Sequence, residues 1–141
     1  MADEPTTPPP AQTPPQPPPP EGKSGTGLDP NVAGFLCYLA GWITGLIFYL
    51  TEKDDDFVRF HAVQSIVFSV ALIVVFIALS IFGTIIGMVP VIGAIVGLFL
   101  GLASLVVWMG AFVFWIILMV KAYQGERYKL PVLGDMAEKY V

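Results

Sequence analysis

Apolar residues are concentrated in two long stretches that follow a polar N-terminal segment. Residues 31–50 carry no charged side chain, and a second uncharged stretch fills the 61 positions between Arg59 and Lys121. A 20-residue helix is ~30 Å long, which is the thickness of the hydrocarbon core of a bilayer. A soluble domain cannot cover such stretches with polar surface. The pattern therefore predicts an all-α integral membrane protein.

The number of spans depends on how the second stretch is divided. Its strongest breaker is Pro90, which predicts spans at about 60–88 and 91–120, each long enough to cross with tilt. With 31–50 as the first span, the chain has three transmembrane helices within a domain of residues 31–125. Four shorter spans are the alternative.

Charge placement favours three spans. In that arrangement the 51–59 loop and the chain from Lys121 onward, including a short polar tail at 126–141, lie on one side of the membrane. Six Lys and Arg residues are then on that side and Lys23 is alone on the other, whereas four spans give five against two. The positive-inside rule predicts a cytoplasmic loop and C-terminus, with the N-terminal tail outside. Residues 132–141 could form a short amphipathic surface helix.

The first 30 residues are predicted to be disordered. They contain 11 of the 13 prolines, and a glycine-rich stretch at 22–27 reads as a flexible hinge. Proline-rich chain favours polyproline II and forms no core. The simplest interpretation is a solvated spacer. The alternative is a ligand for a proline-binding partner, because Pro14 to Pro17 and Pro17 to Pro20 both have the PxxP spacing.

Glycines recur at helical spacing in each predicted span. In lipid, small residues four apart allow the backbones of two helices to approach closely. This predicts either packing within the chain or an interface between copies, and the two interpretations are equally favoured. The candidate packing residues are Gly34, Gly41, Gly45, Gly83, Gly87, Gly93, Gly97 and Gly101.

Three polar residues lie at the mouth of the second span: Arg59, His61 and Gln64. Polar groups at this depth are costly, and His61 and Gln64 share a helix face, so a polar pocket or proton-linked site is one hypothesis. Interfacial anchoring by hydrogen bonds to neighbouring backbone is the favoured interpretation. The acidic run at 54–56 is interpreted as a solvated loop that caps the second span.

Composition excludes several classes of function. Only 13% of residues are charged and the net charge is −4, which argues against nucleic-acid binding. A single cysteine, Cys37, excludes a disulfide scaffold. No residues have the spacing of a catalytic, metal or cofactor site, so we predict a non-enzymatic protein without cofactor or metal.

Two blocks carry a resemblance to a known family. They read LCYL, GWITG, EKD and FVRFHAVQS within residues 36–65, and KAYQGE and KLPVLGDMAE within residues 121–138. In order and spacing the chain, over about residues 31–140, resembles the small prokaryotic membrane family grouped with the magnetosome proteins MamF and MmsF. That family is distantly similar to the membrane import component of the chloroplast Tic complex. The resemblance implies no agreed activity, cofactor or catalytic residue.

Together these features predict a multi-pass plasma-membrane protein that serves as a structural or assembly component. Its expected partners are the lipid bilayer and, through helix–helix contacts, further copies or other membrane proteins. The alternative function is a subunit of a protein-translocation or transport complex, in which Arg59, His61 and Gln64 line a polar path.

Overall fold

The computed structural model describes residues 22–141, and this part of the chain is helical, without strands. The proline-rich residues 1–21, with the predicted disorder and PxxP ligands, lie outside the described residues. The five helices are α1 (Pro30–Leu39), α2 (Trp42–Thr51), α3 (Asp56–Gly87), α4 (Pro90–Tyr123) and α5 (Leu133–Glu138).

Two of the helices are long and apolar enough to cross a membrane. α3 has 32 residues and α4 has 34, and they correspond to the predicted spans at 60–88 and 91–120. Pro90 occupies the first turn of α4, as expected for a residue that cannot continue a helix but can start one. At the start of α3, Asp55 Oδ1 accepts hydrogen bonds from the N–H groups of Phe57 and Val58, which is the predicted capping role of the acidic loop.

The segment predicted as the first span is not one continuous helix. It is divided into α1 and α2, of ten residues each, at Ala40 and Gly41. Gly41 has φ 59° and ψ −128°, a conformation that only glycine adopts without strain, and it turns the chain back on itself. Each helix is ~15 Å long, about half the hydrocarbon thickness, so neither spans the membrane alone.

The outer ends of α1 and α2 lie together. The N–H of Thr26, before α1, donates to Oε2 of Glu52, after α2, at 3.4 Å. The chain before α1 therefore lies at the same end of the molecule as the loop after α2. The predicted arrangement separated those segments by a span, and the count of three spans is not confirmed.

Residues 24–29 differ from the predicted flexible hinge and disordered tail. The N–H of Ser24 donates to Leu28 O at 2.9 Å, and the N–H of Gly27 donates to Ser24 O at 2.8 Å. Ser24 is buried. Asp29 then caps α1 by accepting from the N–H of Asn31. The part of the predicted tail that the structure describes is therefore a hydrogen-bonded turn against the helices.

The packed core lies at one end of the long helices. There α1 packs against both α3 and α4, and the core includes Cys37, Val58, Leu118 and Ala122. We call the region of residues 24–66 and 115–140 the packed half. The remainder, residues 67–114, contains only α3 and α4 and their turn, and we call it the two-helix half.

Candidate functional site

A buried polar cluster lies in the packed half, between α1, α3 and the chain after α4. Tyr38 comes from α1, and His61 and Gln64 lie three residues apart on one face of α3; all three are fully buried. The Tyr38 hydroxyl is 3.1 Å from His61 Nδ1, and Gln64 Nε2 donates to the same hydroxyl at 3.1 Å. Two elements thus bring three polar side chains into one hydrogen-bonded unit.

The partners of the His61 ring define its protonation. Nε2 lies 3.1 Å from the carbonyl oxygen of Glu126, which can only accept, so Nε2 carries a hydrogen. The Tyr38 hydroxyl accepts from Gln64, and with Nε2 protonated, Nδ1 of a neutral ring is the acceptor available for the hydroxyl hydrogen. The arrangement uses a neutral imidazole that donates at one nitrogen and accepts at the other.

The cluster holds the chain that follows α4. Besides the His61 contact with Glu126 O, Gln64 Nε2 donates to Tyr128 O at 2.9 Å. We call residues 124–132, between α4 and α5, the C-terminal strap. Among the described residues, Gln64 Oε1 is buried without a hydrogen-bond partner. The cluster therefore fastens the strap to α3 through two backbone carbonyls.

Arg59 does not join this cluster. Its Nη1 donates to Glu52 O at 3.1 Å, and its guanidinium carbon lies 4.8 Å from the centroid of the Tyr49 ring. The three polar residues singled out from the sequence are thus divided, with His61 and Gln64 together and Arg59 on the α2 side. Sequence reasoning missed Tyr38. It lies within an apolar stretch, and the only sign of a polar role in its sequence position is the hydroxyl group of its ring.

A second set of polar contacts supplies hydrogen-bond partners to the backbone groups at the break between α1 and α2. Thr44 Oγ1 accepts from the N–H of Ala40 at 3.1 Å and lies 3.0 Å from Cys37 O. The Ser65 hydroxyl of α3 lies 2.7 Å from the same carbonyl oxygen, and Trp115 Nε1 of α4 donates to Tyr38 O at 2.8 Å. Irregular backbone at membrane depth needs such partners, because lipid supplies none.

Glu52, in the loop between α2 and α3, is a buried carboxylate surrounded by backbone donors. Burial raises the pKa of this carboxyl, but four backbone N–H groups lower it by more, so its pKa lies below the usual value. Those N–H groups belong to Gly25, Thr26, Asp54 and Asp55. Glu52 thus joins the turn before α1 to the loop before α3.

Some of the predicted packing glycines make close contacts inside the chain. A Cβ built on Gly45 would lie 2.9 Å from Ala62 O, and one on Gly93 would lie 2.8 Å from the Cα of Gly87. A Cβ on Gly34 would meet an aromatic ring of α3 at 3.0 Å. A side chain at these positions would push helices apart.

The remaining predicted glycines have other surroundings. Gly41 forms the turn between α1 and α2, and a Cβ at Gly83 would make only ordinary contact, at 3.6 Å. A Cβ at Gly87, Gly97 or Gly101 would meet nothing within 4 Å. Packing among the described residues therefore does not require a small residue at these three positions.

The described residues 22–141 contain no group of three His, Cys, Asp or Glu side chains that could hold a metal ion. Cys37 is buried, with its Sγ 3.8 Å from Val58 O. Apart from Gln64 Oε1, the polar side-chain groups of the cluster and of the α1–α2 break bond to one another and to backbone. Chemically, this arrangement can fasten segments together.

Comparison with known proteins identifies a matching family and several similar membrane proteins. Residues 28–137 match the sequence profile of the magnetosome magnetite crystal formation protein family, MamF/MmsF. One UPF0132 membrane protein of Methanocaldococcus jannaschii is 45% identical over 114 residues, covering 81% of this chain and 71% of the relative. A second from that organism is 45% identical over 119 residues, covering 84% and 94%.

A UPF0132 membrane protein of Archaeoglobus fulgidus is 42% identical over 111 residues, covering 79% of this chain and 94% of the relative. No solved structure matches the chain significantly. The distant similarity to the chloroplast Tic component stays a prediction. With a profile match over residues 28–137 and relatives named as membrane proteins, the chain is a membrane protein that belongs to the MamF/MmsF family.

Proposed function

We propose that the protein is a non-enzymatic structural component of the plasma membrane that assembles through helix–helix contacts. The observation that carries the proposal is the closed polar cluster: Tyr38, His61 and Gln64 are fully buried and bonded to one another and to the strap. A transport path would need these groups and Arg59 along one solvated route. Their division between two places supports a structural role instead.

The distribution of charge supports an orientation. The chain has seven Lys and Arg residues; six of them lie at the polar end of the packed half, and Lys23 directly precedes it. Lys23 adjoins the turn that contacts Glu52, Lys121 lies in the last turn of α4, and the others lie in the loop, the first turns of α3, the strap and beyond α5. By the positive-inside rule, this end is cytoplasmic.

The proposed topology therefore has two spanning helices and one re-entrant pair. The α3–α4 turn lies outside the cell, and residue 22 and the C-terminus both lie in the cytoplasm. Single cysteines placed in a Cys37→Ser background at Lys23, Met88 and Lys139 test this with a membrane-impermeant maleimide on intact cells. We expect label at position 88 alone. Label at position 23 but not at position 139 would instead support the topology with three spans.

The proposed assembly surface is the side of α4 that carries Gly97 and Gly101, and its partner is a second copy of the chain. Nothing within the described chain approaches a Cβ at either glycine within 4 Å. Small residues four apart permit close helix contact in lipid, where apolar contact alone gives little preference for protein over lipid. Self-association would therefore use both glycines.

Assembly is tested with Gly97→Leu and the matched control Gly110→Leu, because a Cβ at Gly110 also meets nothing within 4 Å. The two positions lie on roughly opposite faces of α4. We expect chemical crosslinking in membranes to trap an oligomer of the wild type and of Gly110→Leu, and mainly monomer of Gly97→Leu. A monomeric wild type, or equal crosslinking of the two variants, would refute assembly through this surface.

A further inference from the structure

A groove of about 980 Å³ runs along α3 and α4 in the two-helix half. One wall is a single face of α3, formed by side chains that recur every three to four residues from Ser65 to Ser80. The other wall is formed by α4 between Trp108 and Trp115. The turn between α1 and α2 forms one end of the groove. The groove therefore begins where the helical pair stops.

The depth of the groove follows from helix geometry. α1 and α2 are ~15 Å long, so their turn at Gly41 lies near the middle of a hydrocarbon core ~30 Å thick. Ser80 lies 15 positions after Ser65, which corresponds to ~22 Å along α3. The groove thus extends from the bilayer centre through the leaflet opposite the packed half, into the interface.

The lining is suited to a hydrocarbon. Fifteen residues line the groove; none of them is charged, seven are aromatic and three are serines. Its volume is in the range of ligand sites, ~300–1,000 Å³, which are mostly apolar with few polar groups. Because no charged side chain lines it, a charged headgroup would lie beyond its outer end, near Ser80.

A spanning helix of a partner does not fit this groove. The α3 face that forms the groove continues toward Asp56 under the helical pair, where a Cβ on Gly45 would lie 3.3 Å from Ser65 Cβ. A helix laid along the groove would collide with α1 and α2 at the bilayer centre. Only an occupant one leaflet deep avoids the collision, and a lipid chain has that depth.

We propose that this groove binds one hydrocarbon chain of a membrane lipid from the leaflet opposite the packed half. The methyl end of the chain lies against Gly41 and Trp42, and the headgroup lies beyond Ser80, toward the α3–α4 turn. Neither Gly97 nor Gly101 is among the residues that line the groove, and the proposal does not depend on self-association.

The test uses the full chain in phosphatidylcholine vesicles that contain a phosphatidylcholine with a photoactivatable diazirine on the terminal carbon of one acyl chain. We expect the crosslinked peptides to contain residues 38–42. A second probe, with the diazirine next to the ester, should instead label the region of Ser80. Uniform labelling of all faces of α3 and α4 by both probes would overturn the proposal.

Ala111→Trp fills the groove from the α4 side, and Ala103→Trp is the same change at an exposed position of α4 outside it. We expect Ala111→Trp to lower labelling of residues 38–42 about tenfold, equivalent to about 1.4 kcal/mol of binding, with Ala103→Trp unchanged. Circular dichroism verifies folding, and Ser80→Trp, at the exposed outer end, replaces Ala111→Trp if that variant misfolds. Unchanged labelling in the folded groove variant would refute the site.

Discussion

The packed half and the two-helix half are built from the same two helices and differ in what α1, α2 and the strap add. In the packed half, side chains such as His61, Gln64 and Leu118 are fully buried. In the two-helix half, Ile81, Leu98 and Val106 are 56%, 64% and 70% exposed. Apolar character is common to both halves, so it does not distinguish a protein core from a lipid-facing surface.

Hydroxyl groups show the same difference. Ser65, in the packed half, donates to carbonyl oxygens of α1 and of the α1–α2 turn, whereas Thr84, in the two-helix half, donates to Ser80 O of its own helix at 2.8 Å. Since helices gain little from apolar contact in lipid, specific packing depends on close approach and on hydrogen bonds between elements. The comparison implies that substitutions are costly in the packed half and mild in the two-helix half, except at the close contact of Gly93 with Gly87 beside the α3–α4 turn.

Gly45→Leu should have the largest effect. Its Cβ would lie 2.9 Å from a backbone oxygen, Ala62 O, which cannot rotate away. We expect α2 to separate from α3, at a cost of ~3 kcal/mol or more, seen as a large drop of the thermal midpoint in detergent. Gly110→Leu is the control and should change stability by less than ~0.5 kcal/mol. Equal thermal midpoints for the two variants would contradict the difference in packing between the two halves.

His61→Leu should have the next largest effect. It removes the hydrogen bond to Glu126 O and leaves the Tyr38 hydroxyl without its acceptor, at a cost of ~2–3 kcal/mol. The strap should loosen, and we expect faster tryptic cleavage at Arg127 and Lys129. His61→Gln keeps a donor and an acceptor, so its effect should be smaller. A His61→Gln strain that inserts normally but behaves like a gene deletion would show a role beyond fastening.

Glu52→Gln should have an intermediate effect that depends on pH. The pKa of Glu52 is lowered on folding, so its contribution is fully present above the unfolded pKa of ~4.3 and is lost as pH falls through the lower folded pKa. At neutral pH we expect a loss of ~1–2 kcal/mol and faster hydrogen exchange at residues 24–29. The wild type should approach the variant under strong acid. A difference that persists there would contradict a charge-based contribution.

Ser65→Ala should have the smallest effect, ~1 kcal/mol, because Thr44 still lies within hydrogen-bonding distance of Cys37 O and Gly41 O. Thr84→Ala removes a hydroxyl from the same helix in the two-helix half and should be near neutral. Thermal midpoints of the two variants in the same detergent measure the difference. A larger loss for Thr84→Ala would reverse the assignment of hydroxyl roles.

Much of the fold was predictable because lipid imposes simple rules on sequence. The uncharged stretch and Pro90 indicated α3 and α4, and the acidic loop indicated a helix start. The break in the first apolar segment was not predictable from length, because 20 uncharged residues satisfy a single span equally well. Gly41 was interpreted as a packing residue by its spacing from Gly45, whereas its φ of 59° makes it a turn.

The polar cluster was predictable only in part. The i, i+3 spacing places His61 and Gln64 on one face from the sequence alone. Their partners lie 23 to 65 positions away in the chain, at Tyr38 and in the strap. Contacts over such separations come from tertiary packing, which has no local signature. For Arg59 the sequence-based grouping was wrong in the opposite way. It is close to His61 and Gln64 in sequence but lies outside their cluster.

The hydrogen bonds at the α1–α2 break have a consequence for biosynthesis. Tyr38 O receives its side-chain donor from Trp115, 77 residues later, and Cys37 O receives one from Ser65. When the first apolar segment enters the membrane, neither donor is yet in place beside it, and a straight helix satisfies the backbone of that segment best. The turn therefore becomes the favoured state only after α4 has entered the membrane. We infer that the first segment to be inserted is the last to reach its final shape.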